Sequence, residues 1–283
     1  MINNKFYGYL AAFLLVFFIS CDSSDDPGSE TQAISLPSFE TMAYDFESFT
    51  ADPGSAQGIG QKAAPNGNWV FSRLVVGIWN SALFTTLAVP VASFQAAVNQ
   101  DAEVIGDLKW QWSYSVGGFT SEYTARLTGE ISGEEVIWEM YITKEGIEGF
   151  DEFLWFTGVS DLDGNSGHWL LNEGPERPNP ILRIDWEVEG EEIGNIRYTW
   201  VRELDANEND DLFKDSYLEY GLQAGDFDAY FDAHTYDEGT ENFVDIRIEW
   251  NRADYFGRVL APRYFEDEVW HCWDGMGDDV SCE

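Results

Sequence analysis

Leu108-Lys109-Trp110-Gln111-Trp112-Ser113-Tyr114-Ser115-Val116 alternates a large apolar side chain with a polar one at every step. A period of two puts Leu108, Trp110, Trp112, Tyr114 and Val116 on one face of an extended chain and their neighbours on the other, the mark of a half-buried strand. Gly117-Gly118 supplies a hairpin turn. Tyr123, Ala125, Leu127 and Ile131 then alternate with Thr124, Arg126, Thr128 and Glu130, and Ser132-Gly133-Glu134-Glu135 turns the chain into Val136, Trp138, Met140 and Ile142. Similar runs follow at 153–160, 168–173, 181–189, 196–203, 216–222, 227–236 and 243–251, with weaker signals at 258–265 and 269–273. These eleven or twelve short strands, joined by tight turns, predict an antiparallel meander with one apolar and one charged face.

A sheet so wide must curl, and its apolar face must be covered. The cover is written upstream. From Leu74 to Phe94 there is no charge, and Ala, Leu and Phe dominate, so residues 69–99 read as helical. Pro90 should end or kink a first helix, with Val91 to Val98 forming a second. Asn80, Thr85-Thr86 and Pro90 argue against a membrane span. The expected fold is mainly β: a curved barrel or half-barrel with one or two apolar helices on its concave face. A two-sheet β-sandwich is the alternative. This pattern resembles the open-barrel lipoprotein carriers of the periplasm and, more loosely, the lipocalins, without the Gly-x-Trp of the latter at the first strand.

The first residues carry an address. Met1 to Ser20 has Lys5 in a short basic region and an apolar run from Leu10 to Ile19, and reads as a secretory signal peptide. Phe18-Ile19-Ser20-Cys21 resembles the lipobox of bacterial lipoproteins, with Phe18 where Leu is usual. Asp22-Ser23-Ser24-Asp25-Asp26 resembles the acidic surface-export tether of Bacteroidota-type lipoproteins. The resemblance implies lipid attachment at Cys21, membrane association through that lipid, and an outer-membrane location at the cell surface, the periplasmic face being the alternative. The other reading is a secreted protein in which Cys21 is a disulfide partner. Residues 21–37 then read as a flexible tether and 38–283 as one β-rich domain, with strands over 108–273. With Cys21 lipidated, Cys272 and Cys282 are left to pair in an oxidising compartment.

Lys+Arg 15 against Asp+Glu 52 gives the chain a net charge of −37, and the basic residues are scattered singly. No basic stripe can form, which excludes nucleic acid as a partner. Asp161-Leu162-Asp163-Gly164-Asn165 resembles the start of a calcium loop, with Asp161, Asp163 and Asn165 as oxygen ligands. Ser166 stands where an EF-hand requires Gly and Asn172 where it requires the bidentate Glu, so a hairpin tip competes with that reading. Asp205, Asn207, Asn209, Asp210 and Asp211 pose the same choice. Loosely bound calcium is the most the acidity implies, and no resident cofactor is expected.

Gly164-Asn165-Ser166-Gly167 superficially resembles a protease nucleophile turn, but His168, His234 and His271 all lack the context a triad needs. No enzymatic constellation rises above this acidic background. The aromatics are the one excess: 12 Trp, 13 Tyr and 20 Phe. Trp110, Trp112, Trp138, Trp155 and Trp186 are either core or the wall of a site for a hydrophobic or glycan ligand. The functional expectation is a non-catalytic binding or carrier module. A structural or adhesive acidic surface protein with cation-dependent contacts is the alternative. Mass spectrometry of the mature chain is expected to find Cys21 acylated at the N-terminus; an unmodified thiol there would remove the anchor.

Overall fold

The computed structural model describes residues 34–43, 67–117 and 121–282, with the side chains of 84–86, 116–117 and 121 excepted. Cys21 and the signal region lie outside the described residues. So does Gly118 of the first expected turn.

A short 3-10 turn, Phe39–Thr41, precedes the long helix α1, Asn68–Ala97. The strands follow as β1 Glu103–Gly106, β2 Lys109–Gly117, β3 Ser121–Ser132, β4 Glu135–Gly146, β5 Phe150–Asp161, β6 Ser166–Gly174 and β7 Arg177–Glu189. They continue as β8 Glu192–Trp200, β9 Tyr217–Leu222, β10 Ala229–Asp237, β11 Asn242–Trp250 and β12 Gly257–Leu260. After the single helical turn α2, Pro262–Phe265, come β13 His271–Trp273 and β14 Asp279–Val280. Each strand pairs antiparallel with the next, and the sheet order is β1 through β14 without a crossover. The architecture is one open, curved meander, and the sandwich alternative does not occur. β1 and β14 were not anticipated, because four exposed residues and two carry no burial alternation. β12 is shorter than its run of apolar residues, because Pro262 fits the first position of α2 and has no amide to offer a ladder.

Curvature is built into pairs of residues directly opposite one another. One rung reads Trp110, Gly129, Trp138, Gly158, Trp169 across β2 to β6. Another reads Gly167 against Trp186, and a third reads Ala229, Trp250, Gly257, Trp273. Trp138, Trp169, Trp186 and Trp273 each lie over the glycine opposite on the preceding strand. A Cβ at Gly158 would sit 2.1 Å from Trp169, and one at Gly257 would sit 2.2 Å from Trp273. Large against small lets the concave face close without voids. The result is a continuous aromatic core: Trp169 stacks on Trp186 at 5.0 Å and meets Phe94 and Phe156 edge-on at 5.2 and 5.3 Å. Three of the buried indole N–H groups find acceptors here, whereas Trp110 Nε1 is buried without a partner among the described residues. Trp138 donates to Ser160 Oγ at 2.9 Å, Trp273 to the Tyr255 carbonyl at 2.9 Å, and Trp169 to Thr41 Oγ1 at 3.1 Å.

That last bond ties in a strap inside the curve. Ile34 and Leu36 pack against the core, Pro37 is buried, and Met42 is fully enclosed. Residues 34–37, within the stretch whose composition reads as tether, are thus packed on the sheet.

Helix α1 is a single bent element rather than two. Pro90 cannot donate to the carbonyl four residues back, and its ring crowds that turn. The halves Asn68–Leu83 and Leu87–Ala97 meet at 71°. Among the described residues no single helix is long and apolar enough to cross a membrane. The start of α1 is held at the last strands: Asn68 N donates to Asp279 Oδ1 at 2.8 Å, and Asn68 Nδ2 to the Cys272 carbonyl at 3.0 Å. Asp279 thus caps the helix from another element, placing a carboxylate at its positive end. The Cys272–Cys282 disulfide, with Cα atoms 5.3 Å apart, closes the loop that carries Asp279 and adds about 2–3 kcal/mol by chain entropy. At the other end the Tyr114 hydroxyl donates to the Ser93 carbonyl under β2. The helix runs as a chord between the two ends of the arc, touching β12 and β13 at one end and β2 and β3 at the other.

Gly158→Ala should destabilise the fold by about 1–3 kcal/mol or more through overpacking on Trp169. Gly77→Ala, in open space on α1, should stabilise by about 0.5–1 kcal/mol. Chemical denaturation of the two variants side by side reads both, and equal effects would contradict the paired-indole account.

Candidate functional site

A chord across an arc leaves space beneath it. The strap fills that space near the β5–β6 turn, where a Cβ at Gly164 would meet Pro37 at 3.2 Å. Farther along, a cavity of about 380 Å³ stays open. Its roof is the last turn of α1 before the bend, Trp79, Ala82 and Leu83. Its floor is the concave face of the middle strands: Leu182 of β7, Tyr198 and Trp200 of β8, Leu218 of β9 and Thr235 of β10. The connection from β8 to β9 closes one end with Arg202, Phe213 and Ser216, and Tyr217 and His234 complete the rim. The lining is predominantly apolar and aromatic, as in pockets for small hydrophobic ligands.

The wall at 200–216 is held in one arrangement by a buried acid. Asp211 Oδ2 accepts from Trp200 Nε1 at 3.0 Å and from Arg202 Nε, and Oδ1 accepts from the Phe213 amide at 2.9 Å. Burial pushes this carboxyl up, but the hydrogen bonds from Trp200, Arg202 and Phe213 outweigh it and hold the group below the usual carboxylate range. Arg202 also pairs with Glu173 at 3.4 Å. The one cationic side chain on the cavity wall is thus neutralised by two acids, and no uncompensated positive charge faces an occupant.

The aromatic candidates from the sequence fall elsewhere. Trp110, Trp112, Trp138 and Trp186 are buried in the filled part of the core, and Trp155 is half-buried beside Phe150 and Phe153. None of the five lines the cavity. Asp161 is spent on its own hairpin: Oδ1 accepts from the Asn165 amide at 2.8 Å and Oδ2 from Ser166 Oγ at 2.9 Å. Asp163 and Asn165 are exposed at the tip of that turn. Asp205 likewise accepts the amides of Asn207 and Asn209 at 2.7 and 2.9 Å, which holds its carboxyl low. Among the described residues, no group of three or more His, Cys, Asp or Glu side chains is placed to hold a metal ion.

His234, on the cavity rim, and His271 both stack on aromatic rings. His234 Nδ1 lies 2.7 Å from Asp245 Oδ1, and its ring is sandwiched between Phe243 at 4.6 Å and Tyr217 at 5.2 Å. His271 stacks on Phe265 at 3.8 Å and faces Asp267. Burial, reinforced by Arg183, pushes His168 down.

On the convex face a second polar cluster balances itself. Arg247 Nη1 donates to Asp232 Oδ2 at 2.7 Å and Nε to Glu249 Oε1 at 2.8 Å, while Arg258 Nε reaches Glu249 Oε2 at 2.7 Å. Tyr230 and Asn195 both donate to Glu219 Oε1. Asp232 Oδ1 is buried without a partner among the described residues. Burial pushes that carboxyl up to about 6; Arg247 opposes the shift, and Glu219 and Glu249 add to it.

Comparison of the chain with protein-family models, with curated proteins and with solved structures found no match in any of the three.

A carboxyl whose folded value exceeds its unfolded value is favoured in the fold only while protonated. Its contribution is full below 3.8 and is lost as pH rises through about 6. Glu249 and Asp211, held low, act the other way and lose theirs as the solution is acidified. Relative to Asp232→Asn, the native chain should therefore lose stability between pH 4 and 7. Denaturation midpoints of the pair across that range check this, and a flat difference would refute it.

Proposed function

We propose that this chain is an exported, lipid-anchored, non-catalytic module that holds a neutral hydrophobic or flat-ringed ligand in the cavity beneath α1. The observation that carries the reading is the cavity itself: about 380 Å³, predominantly apolar, and lined from α1, the four strands β7 to β10 and the β8–β9 connection. Core packing elsewhere in this sheet is dense enough that indoles meet glycines opposite them. Its walls are also prearranged, since Asp211 fixes Trp200, Arg202 and Phe213 before any ligand arrives.

The polar content points to shape and apolar contact rather than to charge recognition. Arg202 is already paired twice, and the net charge of −37 disfavours anionic ligands. Stacking on Trp79 or Trp200 suits a sugar face or an aromatic ring, and the aliphatic floor of Leu182 and Leu218 suits an acyl chain. The anchor rests on Cys21 and its flanking residues.

N-phenyl-1-naphthylamine, a neutral apolar dye, should bind saturably with one site per chain, and its sulfonated analogue more weakly. Leu83→Trp, which fills the roof of the cavity, should weaken dye binding at least tenfold, about 1.4 kcal/mol, at unchanged thermal stability. Equal binding by both proteins, or none by either, would overturn the reading.

A further inference from the structure

We infer that the outward surface of α1 docks against a lipid bilayer of zwitterionic headgroups, so that the cavity draws its occupant from the membrane. The second clause rests on the cavity reading above; the first does not. The 27 residues from Leu74 to Gln100 contain no Asp, Glu, Lys or Arg, in a chain in which 24% of residues are charged. Only one side of that stretch is needed for packing. Val76, Leu87, Phe94 and Ala97 are buried against the sheet, whereas Leu74 and Ile78 are 59% and 65% exposed. Ala82, also exposed, continues the same four-residue step and is part of the cavity roof. Val89 and Val98 are exposed beyond the bend. A helix facing water normally carries charge on that side; this one carries none from Leu74 on, and its exposed polar groups among the described residues are the neutral Ser81 and Gln95.

Charge decides the occupant. A second copy would bring two bodies of −37 together, and an anionic membrane would repel one. A zwitterionic surface imposes neither cost. The chain ahead of the body fits as well: the apolar run ends at Ile19, and the described body begins at Ile34. The fourteen residues between them, fifteen Cα-to-Cα steps, can span at most about 50–54 Å. Whether that run is retained or replaced by acyl chains on Cys21, the body stays close to the bilayer.

The test uses the full chain with an environment-sensitive fluorophore on Ile78→Cys, compared with Glu187→Cys on the exposed convex face. Both are mixed with phosphatidylcholine vesicles carrying nitroxide-labelled acyl chains. The label at 78 should shift to the blue and be quenched several-fold, and that at 187 should not. Leu74→Glu should lower vesicle partitioning at least tenfold, and a third of phosphatidylglycerol at low salt should weaken it. An unquenched label at 78 on vesicle-bound protein, or no vesicle association, overturns the docking. So does a label shielded without vesicles at twice the monomer mass, which would assign this face to a second copy. Leu83→Trp should dock normally while losing the dye, so failure of the cavity and failure of the docking surface give different results.

Discussion

The pairing of an indole with a glycine on the neighbouring strand is the constraint on which the rest of the molecule depends. Fourteen strands in sequence order would make a broad, weakly curved sheet with one large apolar face and nothing of comparable area to cover it. Placing Trp138 between Gly129 and Gly158, and Trp273 beside Gly257, draws the concave face together around bulky groups without overlap. The glycines are weak strand formers in isolation and lose more backbone entropy than any other residue. They are tolerated because each makes room for a side chain that buries more apolar area than most residues carry. Curvature then sets the width of the opening, and the width sets what length of helix can lie across it.

That helix is held by its ends. Asp279 and the Cys272 carbonyl grip Asn68, and Tyr114 grips the turn at Ser93. Between those points Pro90 permits the bend that a chord over a curved floor requires. The C-terminal disulfide therefore bears on more than its own short loop, because it fixes the strand that supplies the helix cap. An oxidised C-terminus, an ordered helix start and a roof over the cavity form one mechanical chain.

Period-two alternation was sufficient to read β2 through β11 and the charged exterior, and the break from that period at 69–99 located the helix. The pairing of Cys272 with Cys282 was legible from number and spacing. Strands too short to alternate, β1 and β14, were not. Nor was the strap, because Ile34 and Leu36 are isolated apolar residues in a polar stretch and only Thr41 meeting Trp169 shows what they do. The site was least legible of all. Trp110, Trp112, Trp138 and Trp186 stood out by type, yet type does not distinguish an indole facing a glycine from one facing a void. Leu182, Leu218 and Ala82 carry no such mark. What makes them a site is the distance between a chord and an arc, which depends on elements more than a hundred residues apart.

The open stretch of the concave face over β7 to β10 also argues for its own use. A closed void of this size would cost several kcal/mol by the scale of cavity-forming substitutions, and water entering past Ala82 lowers that cost without cancelling it. One larger residue at Ala82 would reduce it further, and the exposed position would accept one. The same molecule fills the concave face on either side with buried tryptophans, Trp138 and Trp169 on one and Trp250 and Trp273 on the other. It also places a buried carboxylate, Asp211, where it stiffens the cavity wall and adds nothing to the core. A sheet packed so tightly on both sides of β7 to β10 and left open between them, under a helix without charge from Leu74 on, distributes its stability around the cavity rather than through it.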